Sequence, residues 1–260
     1  MNLFPENIST YGGEIDSLFY LIFGFTSFAF IISLILLVYP LFKYTAKKVQ
    51  RAEYIEGKGK QLRWLWLAVI ALAISDFYVL YAEHGTWASI EEQDWVEMKK
   101  QADEQGNLIA ITGRQWNWIF TYPGPDGKLY TEDDVVVDQQ DSELHIPVNK
   151  TIVFDLRAKD VLHNFSVPNA RFKQDVIPGR TLTRWFKIEK TGKYEIQCAE
   201  LCGILHAKMR NFLVVESEEE YNSFVSELYN ANSPRTEETT EETTEETTEE
   251  TTEETTEEQN

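Results

Sequence analysis

The residues best suited to chemistry lie in one stretch of twelve, which reads Cys198-Ala-Glu-Leu-Cys202-Gly-Ile-Leu-His206-Ala-Lys-Met209. Two thiols, an imidazole and a thioether so close together are soft donors, which favour copper over hard cations such as magnesium or calcium. A single-copper electron-transfer site uses one cysteine, two histidines and a weak methionine. The second cysteine therefore suggests two copper ions bridged by both sulfurs.

Such a site needs a second imidazole, and the chain holds four histidines in all. The candidates besides His206 are His84, His145 and His163. His163 follows a strand-like run and precedes a turn. It is the natural upstream ligand, because copper-binding sandwich domains take one histidine early and the remaining ligands from a late loop.

Each donor also has an ordinary interpretation. Cys198 and Cys202 could form a local disulfide in an outward-facing domain, although so short a loop gains little stability from closure. Met209 could fill a core, and a lone histidine near a strand end is usually structural. Their coincidence at these spacings favours the copper site.

Two apolar runs upstream are long enough to cross a membrane. The first covers residues 17–42 without a charge, and the second covers 64–82, interrupted only by Asp76. No basic segment precedes the first run, which argues against a signal peptide. The loop 43–63 is rich in Lys and Arg, so the positive-inside rule places it in the cytoplasm and both termini outside.

The rest of the chain divides by composition. Residues 1–16 form an outer N-terminal segment and 83–106 a polar linker. Short alternating runs separated by Pro and Gly turns over 107–230 predict an all-β sandwich. Residues 231–260 form a Thr/Glu tail, expected to be disordered because it has almost nothing apolar to bury.

The net charge of −19 owes much to the twelve glutamates of that tail. Phosphate binding needs a basic surface, so a nucleic-acid partner is excluded, whereas a cationic protein partner suits an acidic face. The acids of 124–134 could hold calcium, but EF-hand ligand spacing is absent and a solvated hairpin tip is favoured.

The motif Cys-x-Glu-x-Cys-x3-His-x2-Met resembles the binuclear copper motif of cytochrome c oxidase subunit II. The resemblance extends to about Ser226 and rests on further blocks in the same order: the two-helix hairpin, Gln115-Trp116-Asn117-Trp118, Glu143-Leu144-His145-Ile146-Pro147-Val148, Asp160-Val161-Leu162-His163 and Lys173-Gln174-Asp175-Val176-Ile177-Pro178-Gly179-Arg180. It implies a transmembrane hairpin followed by a cupredoxin-like Greek-key sandwich, in the plasma membrane of a bacterium with the copper domain on the outer side.

The resemblance also implies a role for each site residue. Cys198 and Cys202 would be the bridging thiolates, His163 and His206 the terminal imidazoles, and Met209 and the Glu200 carbonyl the weak ligands. The Glu200 side chain would reach a magnesium ion shared with subunit I. Trp116 would receive electrons from cytochrome c, although it is also one of four alternating aromatic residues, and Asp160 would belong to the acidic docking patch.

The implied function is that of the subunit of a respiratory terminal oxidase that accepts electrons. It would take them from cytochrome c and pass them to the haems of subunit I for reduction of oxygen to water. Subunit III is a further expected partner. One departure concerns proton uptake, because Gln61-Leu62-Arg63 lacks the glutamate that often precedes the second helix in this family.

Three other functions deserve comparison. A quinol oxidase subunit would share the hairpin and sandwich but lack the copper ligands. A nitrous oxide reductase would need a large propeller with many histidines. A membrane-tethered copper carrier or store would favour exposed, exchangeable ligands, and its copper exchange rate would distinguish it.

Overall fold

The structure, a computed structural model, describes residues 4–45, 47 and 56–232. Two long helices come first, α1 (Gly12–Lys43) and α2 (Arg63–Glu91). Both are long and apolar enough to cross a membrane, with mean hydropathies of 2.6 and 1.9 in their most apolar windows and no buried residues there. A short helix, α3 (Trp95–Glu104), follows, with the Asp94 side chain capping its first turn.

Ten strands follow the three helices, and after the last strand a final helix, α4 (Glu218–Asn232), packs against the sheets. The strands are β1 (Leu108–Arg114), β2 (Asn117–Tyr122), β3 (Val135–Val137), β4 (Glu143–Pro147), β5 (Thr151–Ala158), β6 (His163–Val167), β7 (Phe172–Val176), β8 (Leu182–Lys187), β9 (Gly192–Cys198) and β10 (Arg210–Glu216).

The strands make two five-stranded sheets, in the orders β3-β2-β1-β5-β8 and β4-β10-β9-β6-β7. Parallel pairing of β1 with β5 and of β10 with β4 shows that the chain crosses between sheets rather than meandering within one. The prediction of a helical hairpin followed by a β-sandwich is confirmed. The predicted disordered tail lies outside the described residues, apart from its first two, which belong to α4.

The core lies between the two sheets and is strongly aromatic. Trp118, Phe120, Phe154, Phe165 and Phe186 are all fully buried. The rings of Trp118 and Phe165, 5.1 Å apart between centroids, join one sheet to the other. The rings of Phe154 and Phe186, 4.5 Å apart, join neighbouring strands of one sheet. Large buried rings contribute most of the apolar area that stabilises such a sandwich.

The edge strands are β3 and β8 in one sheet and β4 and β7 in the other. At β8 the sandwich contacts α2, where Trp185 Nε1 donates a hydrogen bond to the Ile90 carbonyl at 3.2 Å. Residues 8–10 also pair with the chain around Ile188. These contacts join the helices to the sandwich.

Candidate metal centre

The two cysteines lie at one end of the sandwich. Cys198 is the last residue of β9 and Cys202 lies in the following loop. Both are free and buried, with their Sγ atoms 3.7 Å apart. A disulfide requires about 2.05 Å between sulfurs, so no such bond is present. Two thiolates sharing a metal at about 2.3 Å each would be separated by nearly this distance.

The first imidazole of the site belongs to His163. This residue begins β6, and the antiparallel pairing of β6 with β9 sets Phe165 opposite Cys198. The ring is fully buried, with Nδ1 3.9 Å from Cys198 Sγ and Nε2 2.8 Å from Asp160 Oδ1. A carboxylate on the outer ring nitrogen leaves the inner one to face the sulfur, the usual arrangement around metal-binding histidines.

The second imidazole and the thioether approach the other sulfur. His206 Nδ1 lies 3.6 Å and Met209 Sδ 3.8 Å from Cys202 Sγ. A hydrogen bond from Cys198 N to the Met209 carbonyl, at 3.1 Å, closes the loop that carries them. The Glu200 carbonyl oxygen lies 3.3 Å from Cys198 Sγ. Each sulfur therefore has its own imidazole and one weaker donor.

This donor set fits the copper pair that the motif predicts. Among the described residues, the atoms of His163, Cys198 and Cys202 form a group lying within 4.8 Å of one another. Thiolate, imidazole and thioether are the donors that copper prefers. The magnesium ligand predicted at the Glu200 side chain stays a prediction, since that side chain is exposed and only its carbonyl points to the sulfurs.

The other two histidines lie elsewhere. The His145 ring stacks on Phe224 of α4 with 3.8 Å between centroids, and its Nδ1 lies 3.1 Å from Glu216 Oε1. His84 belongs to α2. His145 therefore has a packing role, and the structure brings His163 and His206 to the cysteines.

The two thiols ionise differently when no metal is present. Burial opposes ionisation of Cys198, but hydrogen bonds with His163 and the backbone of Asn164 outweigh it and lower the thiol pKa to about 6. Burial and the neighbouring Cys198 charge raise the pKa of Cys202 to about 12. Cys198 thus ionises more readily than Cys202, and a cation that binds both sulfurs must displace the proton that Cys202 retains.

The turn between β1 and β2 lies against the cysteine loop. Gln115 Nε2 donates to the Cys202 carbonyl at 2.7 Å. Gly203 has a φ of 128°, and a Cβ built there would lie 3.0 Å from Gln115 Nε2 and 3.2 Å from Trp116 Nε1. The half-buried Trp116 indole therefore reaches the peptide next to Cys202 because residue 203 has no side chain.

Asp160 contacts the site while part of its side chain stays exposed to solvent. Its carboxylate accepts hydrogen bonds from Gln115 N and Val161 N, each at 2.7 Å, besides its contact with His163. Burial opposes its ionisation, but these hydrogen bonds outweigh it and lower the pKa of Asp160. Asp160 therefore supports the His163 ring and the Trp116 turn, and its assignment to an acidic docking patch stays a prediction. The available signal for this support was the spacing of Asp160, three residues before a histidine.

Gly113 and Trp118 complete the pocket around the His163 ring. A Cβ at Gly113 would lie 2.9 Å from the ring Cδ2 atom. Trp118 meets the ring edge-on, with 5.9 Å between centroids. These two contacts fix the ring plane, and sequence analysis had identified neither residue as part of the site.

A buried pair of cysteines with two imidazoles and a thioether, on a β-sandwich joined to two helices able to cross a membrane, is the arrangement of donors that suits a soft metal ion. Residues 108–217 match the family described as cytochrome c oxidase subunit II, periplasmic domain. The chain is also 32% identical over 241 residues to the alternative cytochrome c oxidase subunit 2 of Bradyrhizobium diazoefficiens, covering 85% of this chain and 82% of that protein. The chain belongs to the cytochrome c oxidase subunit II family.

Other relatives match over a shorter stretch. Cytochrome c oxidase subunit 2 of Thermostichus vulcanus is 43% identical over 117 residues, which cover 45% of this chain and 32% of that protein. The crystal structure of the periplasmic domain of cytochrome oxidase subunit II from Bradyrhizobium japonicum is 36% identical, covers 48% of this chain and 94% of that one, and superimposes with a TM-score of 0.42.

Proposed function

We propose that this chain is the subunit of a respiratory terminal oxidase that accepts electrons from cytochrome c at a binuclear copper centre and delivers them to the haems of subunit I. The observation that carries the proposal is the pairing of each thiol with its own imidazole around sulfurs 3.7 Å apart. The two cysteines, the two histidines and Met209 would hold a copper pair, which would supply a site able to gain and lose one electron.

The protein holds these donors in place before any metal binds. His163, Cys202 and Met209 are almost fully buried, and Cys198 is nearly so. The hydrogen bond that the Asp160 carboxylate accepts from His163 and those along the β6–β9 pairing fix the ligands in position. Rigid placement suits electron transfer, because little of the protein needs to rearrange when the charge changes. Buried ligands also disfavour the copper-carrier alternative, which needs ready exchange.

Trp116 is the proposed point of electron uptake. It lies at the surface end of the β1–β2 turn, which Gln115 and Asp160 hold against the cysteine loop. An aromatic ring in contact with the Cys202–Gly203 peptide provides a short path from a docked donor to a sulfur. Exposed apolar residues of the same loop, Leu201 and Ile204, suit a protein partner.

The membrane placement is also part of the proposal. α1 and α2 would span the plasma membrane of a bacterium, with the basic residues between them in the cytoplasm and the sandwich outside. Subunit I, and subunit III as a further partner, would contact the exposed apolar faces of these helices. The magnesium ion at Glu200 would lie at the boundary with subunit I.

The deciding experiment loads the purified, detergent-solubilised full chain with copper. Metal content, visible absorption and electron paramagnetic resonance are recorded on the same sample. Two copper ions with one unpaired electron shared between them would support the proposal. One copper per chain, or copper that exchanges freely with a chelator, would overturn it in favour of a carrier.

A further inference from the structure

The turn between β6 and β7, residues 168–171, is hydrogen-bonded to residues 6–9 near the N-terminus. Ile8 N donates to the Asn169 carbonyl at 3.1 Å, and Asn169 Nδ2 donates to the Glu6 carbonyl at 3.0 Å. Ser9 Oγ donates to the Ala170 carbonyl at 2.7 Å in a buried hydrogen bond. The N-terminal segment is therefore fixed to the sandwich just before α1 begins.

Arg171 connects this turn to α1 itself. Its Nε and Nη2 atoms donate to the two carboxylate oxygens of Asp16 at 2.7 and 2.9 Å. The remaining donors reach the Pro168 carbonyl at 2.9 Å and the Pro5 carbonyl at 2.8 Å. The Arg171 side chain is 9% exposed and that of Asp16 is 23% exposed. Bidentate pairing fixes direction as well as distance, which a lysine cannot do.

The backbone of Arg171 is unusual as well. Its φ of 55° places a non-glycine residue in the left-handed region, which costs free energy that the surroundings must offset. The Arg171 side chain makes five hydrogen bonds that contribute to this offset. A second attachment comes from α2, where Trp185 bonds to the Ile90 carbonyl and Arg184 lies 3.7 Å from Glu91. The sandwich is thus held by the outer end of each helix.

We propose that Arg171 is a positioning residue that holds the copper-binding sandwich at a fixed height and tilt above the membrane through its bidentate pair with Asp16. This inference rests on the proposed function, because a fixed position matters when an electron must leave for a haem in another subunit. Electron-transfer rates fall steeply as the distance between the two redox centres grows, and they also depend on the relative orientation of the centres. The donor side is unaffected, since Trp116 and the cysteine loop belong to the sandwich and move with it.

The test uses the assembled oxidase with Arg171→Gln, Arg171→Lys and Asp16→Asn. Lys190→Gln is the control, because the Lys190–Glu6 pair also joins the sandwich to the N-terminal part of the chain but does not reach α1, and its two side chains are 50% and 65% exposed. We expect copper content, the resonance line shape and the rate of reduction by cytochrome c to stay unchanged in Arg171→Gln. In Arg171→Gln the rate of electron transfer from copper to haem should fall about tenfold, because such a step is sensitive to a small displacement of the donor. Arg171→Lys should recover part of that rate.

Two further readouts do not depend on turnover. Resonance spectra of oriented membrane layers should show a broader spread of copper-centre orientation in Arg171→Gln, and hydrogen exchange at residues 5–9 should become faster. Wild-type rates and sharp orientation in both Arg171→Gln and Asp16→Asn would overturn the inference, as would an equal loss in Lys190→Gln. If Arg171→Gln does not assemble, Asp16→Asn decides. A wild-type chain without the two-copper signal would overturn the proposed function instead, while hydrogen exchange would still decide the role of Arg171.

Discussion

Asp160 Oδ1 lies 2.8 Å from His163 Nε2, and the same carboxylate accepts the backbone N–H of Gln115. One side chain therefore orients a proposed copper ligand and anchors the turn that carries Trp116. Because the ionised carboxylate accepts three hydrogen bonds at once, its contribution depends on charge as well as on shape. This arrangement leads to the first of four predictions.

Asp160→Asn should weaken copper binding by about 10- to 100-fold, the usual effect of losing a partner of a ligating histidine. The amide keeps the volume but loses the charge and one acceptor oxygen. Competition with a copper chelator would measure the change. Asp138→Asn is the control, because Asp138 pairs with Arg114 in a half-exposed ion pair and does not touch a proposed ligand. Equal weakening in both variants would contradict the positioning role.

Cys202→Ser should abolish the binuclear centre and leave the sandwich folded, since serine keeps the size of the side chain but cannot bridge two copper ions. Copper stoichiometry and the resonance spectrum would report the loss, and near-ultraviolet circular dichroism would report the fold. Met209→Leu conserves the buried volume and removes one weak donor, so it should keep two copper ions with an altered spectrum. An unchanged copper count in Cys202→Ser would refute the bridging assignment.

Gly203→Ala should slow electron uptake from cytochrome c while copper remains bound. Alanine at a φ of 128° is strained, at a cost of about 1–3 kcal/mol, and its methyl group would press on Gln115 and Trp116. Stopped-flow reduction of the loaded protein would measure uptake. Gly127→Ala also has a positive φ, of 72°, but opens onto free space. It should lose stability without slowing uptake, and a similar slowing would argue against contact between residue 203 and Trp116.

Proton release on copper loading should depend on pH in a defined way. Between about pH 7 and 11 the pair holds one proton, on Cys202, because the pKa of Cys198 is lowered to about 6 and that of Cys202 is raised to about 12. Loading in that range should release about one proton from the thiols. His163 adds to the total, because burial opposes its protonation but hydrogen bonds with Cys198 and Asp160 outweigh this effect and raise its pKa. Below pH 6 Cys198 is also protonated, so release from the thiols should rise toward two. Ultraviolet absorbance of the thiolate before loading counts the thiols alone, and two protonated thiols at pH 8 would contradict the lowered pKa of Cys198.

Local sequence patterns determined the helical hairpin, the class of the outer domain and the kinds of donor present. Long apolar runs and alternating short runs reflect the periodicities of helix and strand, which neighbouring residues set by themselves. The spacing from Cys198 to Met209 likewise lies within one loop, so its donors had to be close together.

Only the tertiary structure decided which distant residues meet. His163 comes beside Cys198 because β6 pairs with β9, whereas His145 comes to stack on Phe224. Asp160 meets the β1–β2 turn, which supplies the N–H that its carboxylate accepts. Asp16 and Arg171 meet across 155 positions of sequence. Such contacts follow from strand pairing and packing over the whole chain, and no local pattern encodes them.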